Sequence, residues 1–322
     1  MACPLAISPA RRVNCGPVNA GAAILEVLFQ SPDQFVPAAE LHRRVPHAQR
    51  ELAALRQLGY DIENHPHLGY RLRATPDRLT ADDLRARLRT PIIGREIVVF
   101  DETGSTNDIV ARLARDGARE GLVVFAESQT RGRGRHGRVW VSPRGKGLWF
   151  SVLLRPSFPA TRITIAAAVA VARAVGHDAR IKWPNDVMLA GQKLAGILTE
   201  PRAGAAVLGI GINVNCDRTE LPDVATSLLV ATGQRHDRLA LAAAVLTQLD
   251  AEYRRAAADF GRVTDDWARR STTLGRQLVV RLGARRIEGH AQALDGDGAL
   301  LLRLDNGQIA RLLGAELVEE RP

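Results

Sequence analysis

Ile181-Lys182-Trp183-Pro184-Asn185-Asp186-Val187-Met188-Leu189-Ala190-Gly191-Gln192-Lys193-Leu194-Ala195-Gly196 holds two of the chain's three lysines. The third is Lys146, and every other one of the 44 basic residues is arginine. A bias of this kind replaces lysine wherever any solvated positive charge will serve. A lysine that persists marks a place where a compact, rotatable ammonium is needed and a planar guanidinium is not equivalent. Pro184 and Gly191 punctuate the stretch, and Asn185-Asp186 after a proline has turn chemistry of its own. A hairpin about Gly191 is expected to bring Lys193 beside Lys182, converging two cations and Asp186. That set suits adenylation, in which nucleotide phosphates and an attacking carboxylate are held together against their mutual repulsion.

Upstream, Gly132-Arg133-Gly134-Arg135-His136-Gly137 is followed by Arg138-Val139-Trp140. Frequent glycines let the backbone approach a ligand and aim its N–H groups, while the arginines neutralise negative charge. No helix and ribose-binding acid follow as a dinucleotide fingerprint requires, and no Gly-Lys-Ser/Thr occurs, so this is neither a Rossmann nor a Walker loop. Arg131, Arg133, Arg135, Arg138 and Arg144 have no carboxylate among them, as expected of an anion-binding loop. Gly104-Ser105-Thr106-Asn107 sits at a strand-to-helix turn, where one of the polar residues is expected as an N-cap. Gly209-Ile210-Gly211-Ile212-Asn213 adds small residues and an amide on a strand.

Around these motifs, strands are expected at 97–100, 122–126, 148–154, 197–199 and 206–212, and helices at 106–115, 162–175 and 239–260. The pattern is α+β around a mainly antiparallel sheet. After Trp267, turn residues at Gly275, Gly283, Asp295 to Gly298 and Asn306-Gly307 predict a small β-barrel of about fifty residues. Before the sheet, three short helices (22–29, 38–44 and 48–58) and a hairpin (60–64 and 70–73) predict a winged helix-turn-helix. The division expected is an irregular leader over 1–19, a winged helix-turn-helix-like domain over 20–75, a linker over 76–94, a catalytic domain over 95–270 and a C-terminal domain over 271–322.

At 322 residues the chain accommodates several domains. No apolar run reaches the roughly 18 residues of a membrane helix, and the first twenty residues lack the pattern of a secretory signal. Cys3, Cys15 and Cys216 have no metal-ligand spacing, which excludes a zinc site and a disulfide framework and points to the cytoplasm. The net charge of +9 suggests a nucleic-acid partner, yet residues 1–75 hold eight arginines against six acids.

In this order, the motifs resemble those of biotin–protein ligases over roughly residues 95–318, with a looser likeness in the first 75 to the bifunctional ligase-repressors. The resemblance implies a class II synthetase-like catalytic domain, an N-terminal winged-helix domain and a C-terminal SH3-like barrel. It implies that Ser105, Thr106, Asn107, Gln129, Arg133, Gly134 and Arg135 contact biotin and that Lys193 contacts the activated carboxylate. Arg135, Trp140, Lys182, Asn185 and Asn213 then face ATP, and Asp186 orients or deprotonates the acceptor lysine. The implied catalytic set is Lys193, Arg133, Arg135, Lys182 and Asp186. ATP and biotin are substrates, with Mg²⁺ on the phosphates and no direct protein ligand to it. The implied partner is a biotin carboxyl carrier protein, with a homodimer and weak DNA contact left open and no membrane.

Two features depart from the family pattern. The turn at Arg44-Val45-Pro46-His47 is about four residues short, which is expected to misplace the third helix, whose exposed residues Gln49, Arg50, Ala53 and Gln57 offer few base-reading groups. The loop before Thr226 has Leu221, Val224 and Ala225 where an aromatic would stack on adenine. A lipoate ligase of the same fold is disfavoured because no Gly-Gly-Gly run follows paired arginines. A repressor that only senses biotin would not need Lys182, Asn185, Asp186 and Lys193, whereas a bifunctional ligase-repressor stays open.

Overall fold

A computed structural model describes residues 12–13 and 20–321. The leader expected over 1–19 lies outside the described residues apart from a two-residue strand, β1 (Arg12–Val13). In the N-terminal unit, α1 (Ala20–Gln30), α2 (Ala38–Arg44) and α3 (Ala48–Gln57) precede a hairpin of β2 (Asp61–His65) and β3 (Gly69–Ala74). Leu52 and Leu55 recur on one face of α3 and close on Ile24, Leu25 and Leu28 of α1, giving this unit its own core. The short turn from α2 to α3 does not stop α3 from docking. His47 takes the left-handed conformation with φ 63°, so the chain reverses within Val45, Pro46 and His47 while Val45 and Ala48 stay buried. Gln49, Arg50, Ala53 and Gln57 remain exposed.

The segment that follows is a packed connector. It forms α4 (Ala81–Arg87), whose Leu84 lies in the large central core with Leu79 and Leu88, while Ala86 belongs to the N-terminal core. Tyr60 donates to the fully buried Asp83, and the Arg87 guanidinium lies 4.0 Å over the Phe29 ring.

The central region comprises β4 (Glu96–Phe100), α5 (Thr106–Arg115), β5 (Leu122–Ala126), β6 (Gly147–Leu154), α6 (Ala160–Val175), β7 (Arg180–Lys182), β8 (Asp186–Leu189), β9 (Gln192–Arg202), β10 (Ala205–Asn213), α7 (Leu228–Thr232), α8 (Arg238–Ala258) and α9 (Phe260–Arg270). Its sheet runs β1-β4-β5-β6-β10-β9-β8-β7, antiparallel throughout except for the β4–β5 pair. Strands β7 and β8 were not among the expected strands, although β8 and β9 form the hairpin expected about Gly191; β9 is far longer than 197–199, and the single helix expected over 239–260 gives way to a second at Asp259. There the Asp259 carboxylate accepts from Arg262 N and starts α9.

Alternation along β6 and β10 divides the sheet into two faces. Leu148, Phe150, Val152, Leu208, Ile210 and Ile212 share the large core with α6 and α8. On the other face, Leu153 and Val207 pack with Val98, Phe100 and Val124 against Val110 and Leu113 of α5. Further along the same face come Trp149 and Ser151 of β6 and Gly209, Gly211 and Asn213 of β10, paired in register. This part of the sheet is bare of large side chains along β10 and is covered by groups from other elements.

The C-terminal strands β11 (Gln277–Leu282), β12 (Arg285–Leu294), β13 (Leu300–Arg303), β14 (Ile309–Leu312) and β15 (Glu316–Arg321) form a five-stranded antiparallel sheet in the order β14-β13-β12-β11-β15. Leu278, Val280, Leu300 and Leu302 continue the large core, and β15 lines one cavity together with Gly209, Gly211 and Asn213 of the large sheet. No helix among the described residues is long and apolar enough to cross a membrane.

A buried ion pair fastens the connector to this frame. Arg238 and Glu127 meet at 2.7 Å with side chains 2% and 8% exposed. Glu127 also accepts from Leu79 N at 2.7 Å, and Arg238 donates to the Asp77 carbonyl at 3.1 Å. Replacing Arg238 by methionine strands the buried carboxylate and is expected to lower unfolding stability in urea by about 3–5 kcal/mol. A loss below about 1 kcal/mol would reduce the pair to the level of a surface bridge.

Candidate active site

The bare part of the sheet is written into alternate residues of β10 and β9. A Cβ on Gly209 would stand 2.3 Å from Asn107 Oδ1, and one on Gly211 would stand 2.5 Å from the Trp140 indole. Gly196, paired with Gly211, would meet the same indole at 2.8 Å. Glycine is therefore demanded here by close approach of other side chains, not by backbone conformation. Trp140 lies flat on this floor, edge-on to Trp149 at 6.2 Å, with its Nε1 buried and unpartnered.

Above the floor is a cavity of about 540 Å³. Ser105, Thr106, Asn107, Gln129, Arg133, Gly134, Arg135, Trp140, Lys182, Asn185, Asp186, Lys193 and Asn213 all line it. At one end, Gln129 Oε1 accepts from Thr106 N at 2.9 Å and Thr106 Oγ1 at 3.1 Å. Ser105 occupies the N-cap position of α5, but its side chain makes no capping bond. The cap expected from the local sequence is supplied instead by Gln129, from a different strand end. Fully buried Ser151 Oγ lies 2.7 Å from Thr106 Oγ1 and 2.5 Å from Asn107 Oδ1, and Gln129 Nε2 donates to Ser142 at 3.1 Å.

At the other end, Lys193 Nζ pairs with Asp186 Oδ1 at 2.6 Å and lies 5.4 Å from the Trp140 ring centroid. Lys182 does not stand beside it. Lys182 Nζ reaches Glu320 of β15 at 2.8 Å, although the hairpin of β7 and β8 sets Lys182 opposite Asp186. The expected convergence of two lysines on one carboxylate is thus corrected to two separate pairs in one cavity. Asn185 Nδ2 donates to the Ile197 carbonyl at 2.8 Å, and Asn213 Nδ2 to that of Thr226 at 2.9 Å. Lys146 lies outside the cavity, salt-bridged to Asp217 at 2.7 Å and Glu220 at 3.5 Å, so its persistence marks a loop anchor.

The loop arginines differ in their commitments. Arg133 forks onto Asp108 at 3.0 and 2.7 Å, which raises its pKa further and holds the Asp108 carboxyl below the usual range. Arg138 pairs with Glu316. Among the described residues Arg135 has only Asn185 Oδ1 at 3.5 Å and the Ala315 carbonyl at 3.4 Å, and burial lowers its pKa. A desolvated cation with such long contacts is the site's strongest attractor for an anion. Sequence reasoning missed Ser151, Glu200 and the β15 carboxylates Glu316, Glu319 and Glu320. The acid-free arginine cluster was their signal, because partners for it had to come from elsewhere in the chain. Among the described residues no three His, Cys, Asp or Glu side chains gather as a metal site.

Gly211→Ala is expected to unseat Trp140, visible as a shift in tryptophan emission that vanishes in a Trp140→Phe background. Trp183 and Trp267 are each at most 2% exposed and should not respond, whereas Trp149 adds to the shift through its edge contact with Trp140. Unchanged emission would show that the indole does not rest on Gly211.

Comparison with known proteins places these residues in a family. Residues 99–217 match the biotin/lipoate A/B protein ligase family, and residues 273–317 match the biotin protein ligase C-terminal domain. A bifunctional ligase/repressor BirA of Bacillus subtilis is 32% identical over 315 residues, covering 91% of this chain and 97% of that protein. A biotin–[acetyl-CoA-carboxylase] ligase of Mycobacterium tuberculosis is 36% identical over 244 residues, covering 70% and 92%. Among solved structures, a biotin protein ligase from Aquifex aeolicus in complex with biotin and ATP superposes with a TM-score of 0.62 at 28% identity, covering 70% of this chain and 99% of that one.

Proposed function

Because this chain belongs to the biotin protein ligase family, we propose that the cavity joins biotin to ATP and then to a protein lysine. The enzyme is an ATP-dependent ligase that acts in two steps. A biotin carboxylate oxygen attacks the ATP α-phosphorus, and the bond to the β-phosphate oxygen breaks, releasing pyrophosphate and leaving biotinyl-5′-AMP. The ε-amine of a lysine on a carboxylase's carrier protein then attacks the acyl carbon. The bond to AMP breaks, AMP leaves, and the amine loses a proton.

The observation that carries this reading is one cavity with a neutral hydrogen-bonding end and a cationic end. Thr106, Asn107 and Gln129 suit the polar ring system of biotin, and the glycine floor with Trp140 suits flat apolar surface. Lys193 offsets charge at the carboxylate as it becomes the acyl phosphate, and Arg135 holds the adjoining anion. The nucleotide phosphates replace Glu320 at Lys182 and Glu316 at Arg138. Mg²⁺ bound with ATP would take one or two carboxylates together with the phosphates and shield the phosphate charge. Asp186, with Oδ1 paired to Lys193, is the carboxylate assigned to orient the incoming amine.

Lys193→Arg keeps the charge but replaces a point donor by a fork that does not fit between Asp186 and the indole. Biotin-dependent pyrophosphate exchange is expected to fall by about 100-fold or more while the fold persists. Near-parental exchange would remove Lys193 from the chemistry. The same assay with lipoate and octanoate separates this reading from a lipoate ligase.

The exposed face of α3 and the bifunctional relatives favour a second activity, operator binding, but the charge of this unit opposes it. Arg44 pairs with Glu40, Arg71 and Arg73 with Glu63, and Arg56 with the Ile62 carbonyl. Tight operator binders neutralise about six to ten phosphates. A gel shift with DNA upstream of biotin-synthesis genes, in biotin, ATP and physiological salt, is expected to show no specific complex at nanomolar protein. A specific complex would establish a working repressor.

A further inference from the structure

Glu200, near the end of β9, joins two parts of the cavity that are far apart in sequence. Its Oε2 accepts from Asn107 Nδ2 at 3.0 Å. Its two oxygens also lie 3.4 and 3.3 Å from Arg133 Nη2, and Arg202 approaches at 3.3 Å. The distances decide which contact matters more. Arg133 is already neutralised by the shorter fork to Asp108, so Glu200 is its secondary partner. Asn107, 4% exposed, has no other acceptor for Nδ2 among the described residues.

Both ends of the Asn107 amide are therefore assigned. Ser151 stands against Oδ1, Glu200 against Nδ2, and Gly209 leaves the room the amide occupies. A flipped amide would set Nδ2 against a hydroxyl already shared with Thr106 and an oxygen against a carboxylate. The glycine-rich loop meets the same joint. Its base closes on itself through Gly134 N to the Arg138 carbonyl at 2.7 Å, and Arg133 is the arm that ties it to α5 and β9.

We infer that Glu200 is a positioning residue of the ligase, one that fixes the Asn107 amide toward biotin and, through Arg133, steadies the loop over the adenylate. It touches no reacting atom. The inference rests on the ligase reading and names a residue that reading does not use. Loss of the acceptor leaves a buried donor unpaired in the biotin end of the cavity, while Arg133 keeps its shorter fork to Asp108.

The test compares Glu200→Leu and Glu200→Gln in the full chain. In Glu200→Leu, KM for biotin in pyrophosphate exchange is expected to rise about ten-fold or more, with KM for ATP and the melting temperature near parental values. Glu200→Gln keeps an oxygen for Asn107 and is expected to recover most of the biotin KM. It should still release biotinyl-adenylate faster, because the charge facing Arg133 is gone. In an Asn107→Ala background, Glu200→Leu should add nothing to the biotin KM, as two residues acting through one contact are not additive. The idea is overturned if biotin KM is unchanged in Glu200→Leu. An equal rise in the Asn107→Ala background, or both KM values and the melting temperature moving together, also overturns it. A parent chain with no biotin-dependent exchange would instead sink the ligase reading itself, and a parent that exchanges normally leaves the fate of Glu200 to the variants.

Discussion

A strand shows every second side chain to the same face, so a sheet can be bared on one side only by placing small residues at alternate positions. Gly209 and Gly211 of β10 do this, joined by Gly196 across the ladder. The other face of the same strands stays apolar and buried through Leu208, Ile210 and Ile212. The groups that approach the floor follow from that bareness. Asn107 comes down on Gly209 and Trp140 on Gly211, so the start of α5 and the end of the glycine-rich loop are referenced to one strand. A single Cβ at either position would lift a wall of the cavity while leaving the core behind it unchanged.

Charge is distributed over this frame in three grades. Arg133 and Lys146 are held in ion pairs by Asp108 and by Asp217. Lys182 and Arg138 are paired with β15 carboxylates, contacts that an incoming polyanion can exchange for stronger ones. Among the described residues, the hydrogen-bonding contacts of Arg135 are long and neutral, in a desolvated place. An anion entering the cavity gains most at Arg135, where no existing pair must be broken. Residue type alone does not separate these grades, because all of the cations look equivalent until their partners are known.

The sequence revealed the parts of the fold with strong local signals. The helix Thr106–Arg115 and the strand Leu122–Ala126 follow from period and length. Strands β7 and β8 escaped because they are three and four residues long and flank Trp183-Pro184, where turn chemistry dominates. Much of β9 escaped because glycine, lysine and proline weaken strand propensity, and its pairing with β10 overrides that weakness. For the site, glycine and lysine residues pointed to one cavity, since each answers to a steric or charge demand that few residues meet. Glu200 and Ser151 carry no such mark. A carboxylate on a strand becomes informative only when the tertiary fold brings the amide and the guanidinium to it.

The fastening of the N-terminal unit to the catalytic frame has a consequence for how the cavity is held. Glu127 carries the buried pair with Arg238 and accepts the connector's Leu79 N–H. Two residues on, Gln129 caps α5 through Thr106 N. The backbone between them is short and buried at Ser128, so displacement of the connector acts on the amide that orders the neutral end of the cavity. Because α4 contributes to both cores, rotation of the winged unit as a rigid body would have to break apolar contacts as well as this ion pair. The unit is thus packed as part of the enzyme's frame, and its geometry bears on the cavity whether or not it contacts nucleic acid.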